Sequence, residues 1–315
     1  MSRLFEALQR SEAERSGSTL PQMPSAATEL LQAAEQGELG AEIAADFSSA
    51  EFSSPDFPST EFPLEEMPPA PSVPASPSTM EGLRSLQPFP TAEGRLVSIT
   101  QQDGLGAEKF RLLGVRLRNM RASRTLKRIL VTSTIPEEGK SVVSANLALV
   151  LARGGRTKTV LVEGDLRRPT LANRFGLGKL PGLVDALSGN KSLNEVIYQL
   201  EPTGLCCIPA GHPPENPLEL MQSGRAAAAL DALSQFFEWI VVDSPPVLPL
   251  ADTILWSKLV DGVVLVAREG KTEKRQLLKG LELLDHSRLL GVVLNGSSST
   301  DHKNYYQRYT PAPSR

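Results

Sequence analysis

Three short stretches of this 315-residue chain carry residue types suited to phosphate chemistry. The first is Thr134-Ile135-Pro136-Glu137-Glu138-Gly139-Lys140-Ser141, which follows the apolar run RILVTS and precedes VVSANLALVLA. Strand, glycine-bearing loop and helix in that order form a P-loop, whose backbone amides and helix N-terminus wrap a phosphate chain. Pro136, Glu137, Glu138, Gly139, Lys140, Ser141 and Val142 are therefore the candidate nucleotide-binding residues. Lys140 is expected to reach the β- and γ-phosphates, and the Ser141 hydroxyl to ligate Mg²⁺. The strict motif has glycine where Thr134 stands. The second stretch, Glu163-Gly164-Asp165-Leu166-Arg167-Arg168, ends the run TVLVE. Two carboxylates one residue apart lie on one side of a strand, so both are expected to face the nucleotide. The third is Asp243, after the four apolar residues of WIVV, in the position of the Mg²⁺-site acid of P-loop enzymes.

The elements that must hold these residues are legible as alternating patterns. Strands are expected at Arg128–Ser133, Thr159–Glu163, Leu205–Pro209, Trp239–Asp243, Gly262–Ala267 and Leu290–Leu294. Helices are expected at Ser141–Arg153, Arg225–Phe237 and Thr272–Leu284. This alternation predicts an α/β fold of the P-loop nucleoside triphosphatase type, a mostly parallel sheet with helices on both faces. Ligands on such sheets sit at the carboxyl ends of the strands, where all three stretches fall.

The net charge of −3 hides a division. Residues 1–100 carry −10, with no lysine, and the remainder +7. The balance gives no support to a nucleic-acid binder. Twelve of the 25 prolines precede residue 91, so residues 17–92 read as a disordered acidic linker. Ahead of it, residues 1–16 read as a short amphipathic helix with Leu4, Phe5 and Leu8 on one face. Within the linker, Phe47, Phe52, Phe57 and Phe62 recur every fifth residue, each behind an acid. The catalytic domain is expected at 93–300 and a tyrosine-rich tail at 301–315. The longest apolar runs are far too short for a membrane span. Two adjacent cysteines, Cys206 and Cys207, fit neither a disulfide framework nor a zinc cage, and place the chain in a reducing cytoplasm.

Together the three motifs resemble those of the bacterial tyrosine kinase family, the cytoplasmic autokinases of capsule and exopolysaccharide export. The resemblance runs over residues 104–309, through Asn216-Pro217, Leu248 to Asp252 and Gly291 to Asn295. It implies an ATP- and Mg²⁺-dependent protein-tyrosine kinase with Lys140, Glu163, Asp165 and Asp243 as catalytic residues and Ser141, Asp165 and Asp243 at the metal. Glu163 or Asp165 would accept the tyrosine proton, and Asn295 would contact adenine. Of the four tyrosines, Tyr305, Tyr306 and Tyr309 lie in the last eleven residues and match the family's autophosphorylated cluster. The resemblance also implies trans-phosphorylation within an oligomer, a membrane-embedded activator of the polysaccharide chain-length regulator type that recruits the chain to the inner face of the membrane, and an opposing tyrosine phosphatase. Two positions depart from the family. Glu163 stands where aspartate is usual. The oligomerisation signature Glu-x-x-Arg-x-x-Arg is met by Glu108 and Arg111 but has Gly114 in its last place. The competing readings are a partitioning-type ATPase switch, whose extra loop lysine is here Ile135, and a non-catalytic ATP-binding regulator.

Overall fold

The computed structural model describes residues 82–90, 92–153 and 157–297. The helix expected at 1–16, the phenylalanine repeat and the tyrosine tail lie outside the described residues. An eight-stranded sheet forms the centre: β1 (Arg84–Leu86), β2 (Arg128–Ser133), β3 (Thr159–Glu163), β4 (Tyr198–Leu200), β5 (Leu205–Ile208), β6 (Trp239–Asp243), β7 (Gly262–Arg268) and β8 (Leu289–Asn295). Their spatial order is β1-β4-β5-β3-β6-β2-β7-β8. All neighbours pair in parallel except β4 and β5, which are antiparallel.

The helices are α1 (Val97–Thr100), α2 (Leu105–Arg121), α3 (Lys140–Ala152), α4 (Leu171–Phe175), α5 (Leu183–Leu187), α6 (Pro217–Gln222), α7 (Arg225–Phe236), α8 (Asp252–Lys258) and α9 (Lys274–Glu282). Alternate residues of each central strand feed two separate cores. Leu130, Val160, Val242 and Leu265 point to one face, with Leu230 and Leu233 of α7 and Trp256 of α8. Val131, Leu161, Val241 and Val266 point to the other, with Leu117 of α2, Leu147 and Leu151 of α3 and Phe175 of α4. Burial on both faces explains why these strands read as unbroken apolar runs.

Two strands were not legible in the sequence. β1 lies inside the stretch expected to be a linker to residue 92, so that boundary is corrected: Arg84-Ser-Leu86 pairs with Tyr198-Gln-Leu200. Each strand is three residues long and partly polar, too short to show a period. Helix α2 also went unread, because its sequence is rich in charge and holds two glycines. Gly114 is required there: a Cβ would stand 2.9 Å from Val150 Cγ1 of α3. The last position of the oligomerisation signature is thus buried against α3. Arg118, one turn later, donates to the Val150 and Leu151 carbonyls at 3.2 and 3.4 Å, capping α3, while Glu108 and Arg111 pair with each other.

Candidate active site

The strands β3, β6 and β2 are neighbours at the middle of the sheet, and their carboxyl ends bring the three motifs together. Glu163 registers with Asp243, and Asp243 with Val131, three residues before the loop begins at Thr134. A cavity of about 700 Å³ opens above these ends. Pro136, Glu137, Gly139, Lys140, Ser141, Val142, Asp165 and Asn295 line it. Glu138, Glu163 and Asp243 do not.

The loop is held from behind by Glu138. Its buried carboxylate accepts from the Thr134 hydroxyl at 2.9 Å, the Ile135 amide at 2.8 Å and the Thr272 hydroxyl. This gives Thr134 a purpose where the strict motif has glycine: its hydroxyl anchors the loop's own acid. Gly280 of α9 makes the room, since a Cβ there would meet the Thr134 methyl at 2.5 Å. At the other end of the loop Gly139 has φ +93°, and a Cβ on it would lie 2.1 Å from Asn295 Nδ2. That nitrogen donates to the Glu138 carbonyl at 2.9 Å. Asn295 therefore locks the loop, and its carbonyl oxygen and second N–H remain for a base. Glu137, with φ +66°, turns its side chain outward to Lys271 at 2.6 Å, and that ion pair holds its carboxyl below the usual range.

Lys140 opens α3 and bridges to Asp165 at 2.8 Å. Burial works against its charge, but Asp243 and Asp165 outweigh burial and raise its pKa. Asp165 also accepts from the Arg168 amide at 3.0 Å. Asp243 lies deeper, beside Ser141. Both its carboxylate oxygens are buried without a well-formed hydrogen bond, and desolvation raises its pKa, with Lys140 and the adjacent Ser141 and Ser144 hydroxyls opposing. A buried carboxylate left unbonded is costly, so two orphan oxygens next to a hydroxyl and a second acid fit a cation site. Among the described residues no cluster of three or more His, Cys, Asp or Glu side chains could hold a metal by itself. A Mg²⁺ here would thus depend on Ser141, nucleotide oxygens and water, as this hard ion commonly does.

Glu163 differs from expectation. Its side chain is buried, and its carboxylate accepts from three amides: Thr170, Leu171 at 2.6 Å and Ala210 at 2.8 Å. Alternation does place it on the Asp165 side, but the extra methylene of glutamate reaches the start of α4 and the end of β5 rather than the cavity. Burial pushes its carboxyl up to about 7, with the three amides opposing. Arg167 is likewise spent, held in a fork by the buried Asp252 at 2.7 and 3.1 Å. Sequence reasoning missed Arg95, Arg174 and Arg268, which all line the cavity. A single arginine in a loop (Arg95), in a five-residue helix (Arg174) or at a strand end (Arg268) gives no sequence signal. Cys206 and Cys207 are buried in β5, and burial pushes the Cys206 thiol up to about 11, so both are inert.

No protein-family model matches the chain. The tyrosine-protein kinase YwqD of Bacillus subtilis is 32% identical over 212 residues, which is 67% of this chain and 89% of that protein. The tyrosine-protein kinase ptk of Acinetobacter johnsonii is 32% identical over 201 residues, 64% of this chain but only 27% of that longer protein. The crystal structure of the chimerical protein CapA2B2 superimposes with a TM-score of 0.61 at 32% identity, covering 69% of this chain and 94% of that one.

Proposed function

This chain belongs to the bacterial tyrosine-protein kinase family, and on that premise we propose that it transfers the γ-phosphoryl group of ATP to the tyrosines of its own C-terminal tail, Tyr305, Tyr306 and Tyr309. The observation that carries this reading is the convergence of Lys140, Ser141 and Asp165 on one cavity with the orphan carboxylate of Asp243 behind them.

Phosphoryl transfer needs alignment and charge neutralisation more than covalent help. Lys140 and the loop amides supply positive potential to the phosphates. Moving from Asp165 to phosphate, the Lys140 ammonium would free the aspartate. Ser141, Asp165 and Asp243 are the residues that would hold Mg²⁺, which when bound neutralises phosphate charge. In the step itself, a bond forms between the phenolic oxygen and the γ-phosphorus, the bond to the β,γ-bridging oxygen breaks, and ADP departs. The phenol proton goes to Asp165, the acid that faces the cavity. A carboxylate is a weak base toward a phenol of pKa about 10, so the proton leaves late, as the oxygen bonds to phosphorus. Glu163 is assigned no proton here, because three amides occupy its carboxylate.

In this reading the acceptor tail comes from the same or a neighbouring subunit, and a membrane-embedded activator of the chain-length regulator type recruits the kinase to regulate capsular or exopolysaccharide export, with a tyrosine phosphatase reversing the mark. Among the described residues no helix is long and apolar enough to cross a membrane, which suits recruitment by a partner. The test is incubation of the purified chain with Mg·ATP, with and without an activator fragment. Phosphotyrosine should form on the tail and disappear in Lys140→Met, with circular dichroism unchanged. Undiminished phosphorylation in that variant would remove the phosphate role of Lys140.

A further inference from the structure

The cavity is lined by cationic side chains beyond Lys140 of the phosphate loop, with Glu93, Glu137 and Asp165 as the acids among its lining. Arg95, Arg168 and Arg174 line it. None of the three has a carboxylate within ion-pair distance among the described residues, whereas Lys140 is matched to Asp165 and Arg167 to Asp252. The phosphates of Mg·ATP are already served by Lys140, Ser141 and the loop amides.

Two of these arginines are set in place at a cost. Arg174 projects from α4, whose Leu171 and Phe175 are fully buried. Its guanidinium makes only long contacts, 3.3 Å to the Thr170 hydroxyl and 3.4 Å to the Gly94 carbonyl, so most of its five N–H donors are unused. Burial disfavours its charge, and neighbouring Arg95 adds to that effect while Asp243 opposes it. Arg95 has φ +53°, a left-handed backbone that costs a non-glycine residue on the order of 1 kcal/mol. Asn146 of α3 fixes that conformation. Its amide nitrogen donates to the Arg95 carbonyl at 3.0 Å, and its oxygen accepts from the Ser98 amide at 3.0 Å. Glycine or asparagine would relieve the strain; what arginine adds is a guanidinium in the cavity.

We propose that Arg95, Arg168 and Arg174 form a second anion subsite, for the phosphomonoester of a phosphotyrosine already made in the acceptor tail. The subsite retains the tail while a neighbouring tyrosine is phosphorylated, and it rests on the kinase reading above. A phosphotyrosine carries about −1.5 to −2 charges and three acceptor oxygens, which guanidinium forks match in geometry. Unmodified, the tail around Lys303 and Arg308 is cationic and gains nothing from the subsite. Once one phosphate is present, a tyrosine three residues away, as Tyr306 is from Tyr309, lies within roughly 10 Å of extended chain.

A fluorescent peptide of residues 302–311, phosphorylated only at Tyr309, is titrated with the full chain in Mg·ADP, alongside the unphosphorylated peptide. The phosphopeptide should bind at least tenfold more tightly. Arg95→Asn, which keeps a left-handed backbone accessible, and Arg174→Gln should each remove most of that difference, with Mg·ADP affinity held within twofold of the parent. Equal binding of the two peptides to the parent chain overturns the subsite. So does a tenfold loss of Mg·ADP affinity with the peptide difference intact, which gives the arginines to the nucleotide. In autophosphorylation read by mass spectrometry, the ratio of multiply to singly phosphorylated tails should fall at least fivefold in either variant, and an unchanged ratio counts against the proposal. If the parent forms no phosphotyrosine, the kinase reading fails, and the peptide titration still decides the subsite.

Discussion

The ends of β3 and β6 lie in register, and each buries a carboxylate, yet the two are treated in opposite ways. Glu163 accepts from three amides, two at the start of α4 and one just beyond β5. Asp243, its partner across the strands, has only the Ser141 and Ser144 hydroxyls beside it and no well-formed hydrogen bond on either oxygen. Both acids sit in the same low-dielectric layer, and burial raises the pKa of both. The satisfied acid belongs to the scaffold, since its bonding capacity is used in tying β3 to α4 and to the end of β5. The unsatisfied acid keeps its oxygens free at a cost to the fold, which is what a site for a transient cation requires.

The largest expected effect separates the two in activity. Asp243→Asn should lower the rate of phosphotyrosine formation by at least a thousandfold, about 4 kcal/mol in the barrier. The same variant should melt close to the parent, because relief of a desolvated, poorly bonded charge offsets the loss of its attraction to Lys140. A rate within tenfold of the parent, measured at saturating Mg·ATP, would sink the metal-site assignment.

Glu163 should show the reverse balance. Glu163→Ala strands three buried amides and leaves a void, so it should cost about 3 kcal/mol or more of unfolding free energy in urea titrations. Loss of less than 1 kcal/mol would mean that the amides find other partners. The pH dependence has a definite sign. Burial pushes the folded-state carboxyl up to about 7, above the ordinary value of 4.5. Folding therefore takes up a proton between these values, and the contribution of Glu163 to stability is largest below about 4.5 and declines as pH rises through 7. The decline is on the order of 3 kcal/mol for a shift of this size. Glu163→Gln lacks the titration. Its stability relative to the parent should improve from pH 5 to about pH 7 and level off above that, and a difference flat from pH 5 to pH 7 contradicts the buried, raised carboxyl.

Much of this comparison could be read in the sequence, but not its outcome. Asp243 announces itself as an acid after four apolar residues, and the P-loop as glycine-lysine-serine between strand and helix, because both signals are local. The fate of Glu163 depends on Ala210, 47 residues further on, and no local pattern carries that contact. The same holds for Thr134, whose departure from glycine makes sense only beside Glu138 and Gly280 of α9. Strands β2, β3, β6 and β7 were legible because burial on both faces leaves an unbroken apolar run. Strands β1 and β4 were not, since three partly polar residues look like linker. Arg95 and Arg174 became visible only as lining of the same cavity.

The smallest expected effect lies between the two acids. The chain passes from Glu163 to Asp165 through Gly164, whose amide donates to the Asp243 carbonyl at 2.7 Å and whose carbonyl accepts from the Trp256 indole at 3.1 Å. Trp256 is buried in α8, so its indole ring props this crossing from one face of the sheet. Trp256→Phe keeps a ring but loses the N–H donor and some volume. It leaves the Gly164 carbonyl without that bond, at a cost of about 1–2 kcal/mol. Asp165 stays tied to Lys140 and to the Arg168 amide, neither of which involves the indole. Mg·ADP affinity should therefore stay within twofold while the urea midpoint falls. A tenfold loss of nucleotide affinity at unchanged stability would show that the crossing, rather than Lys140, sets the position of Asp165.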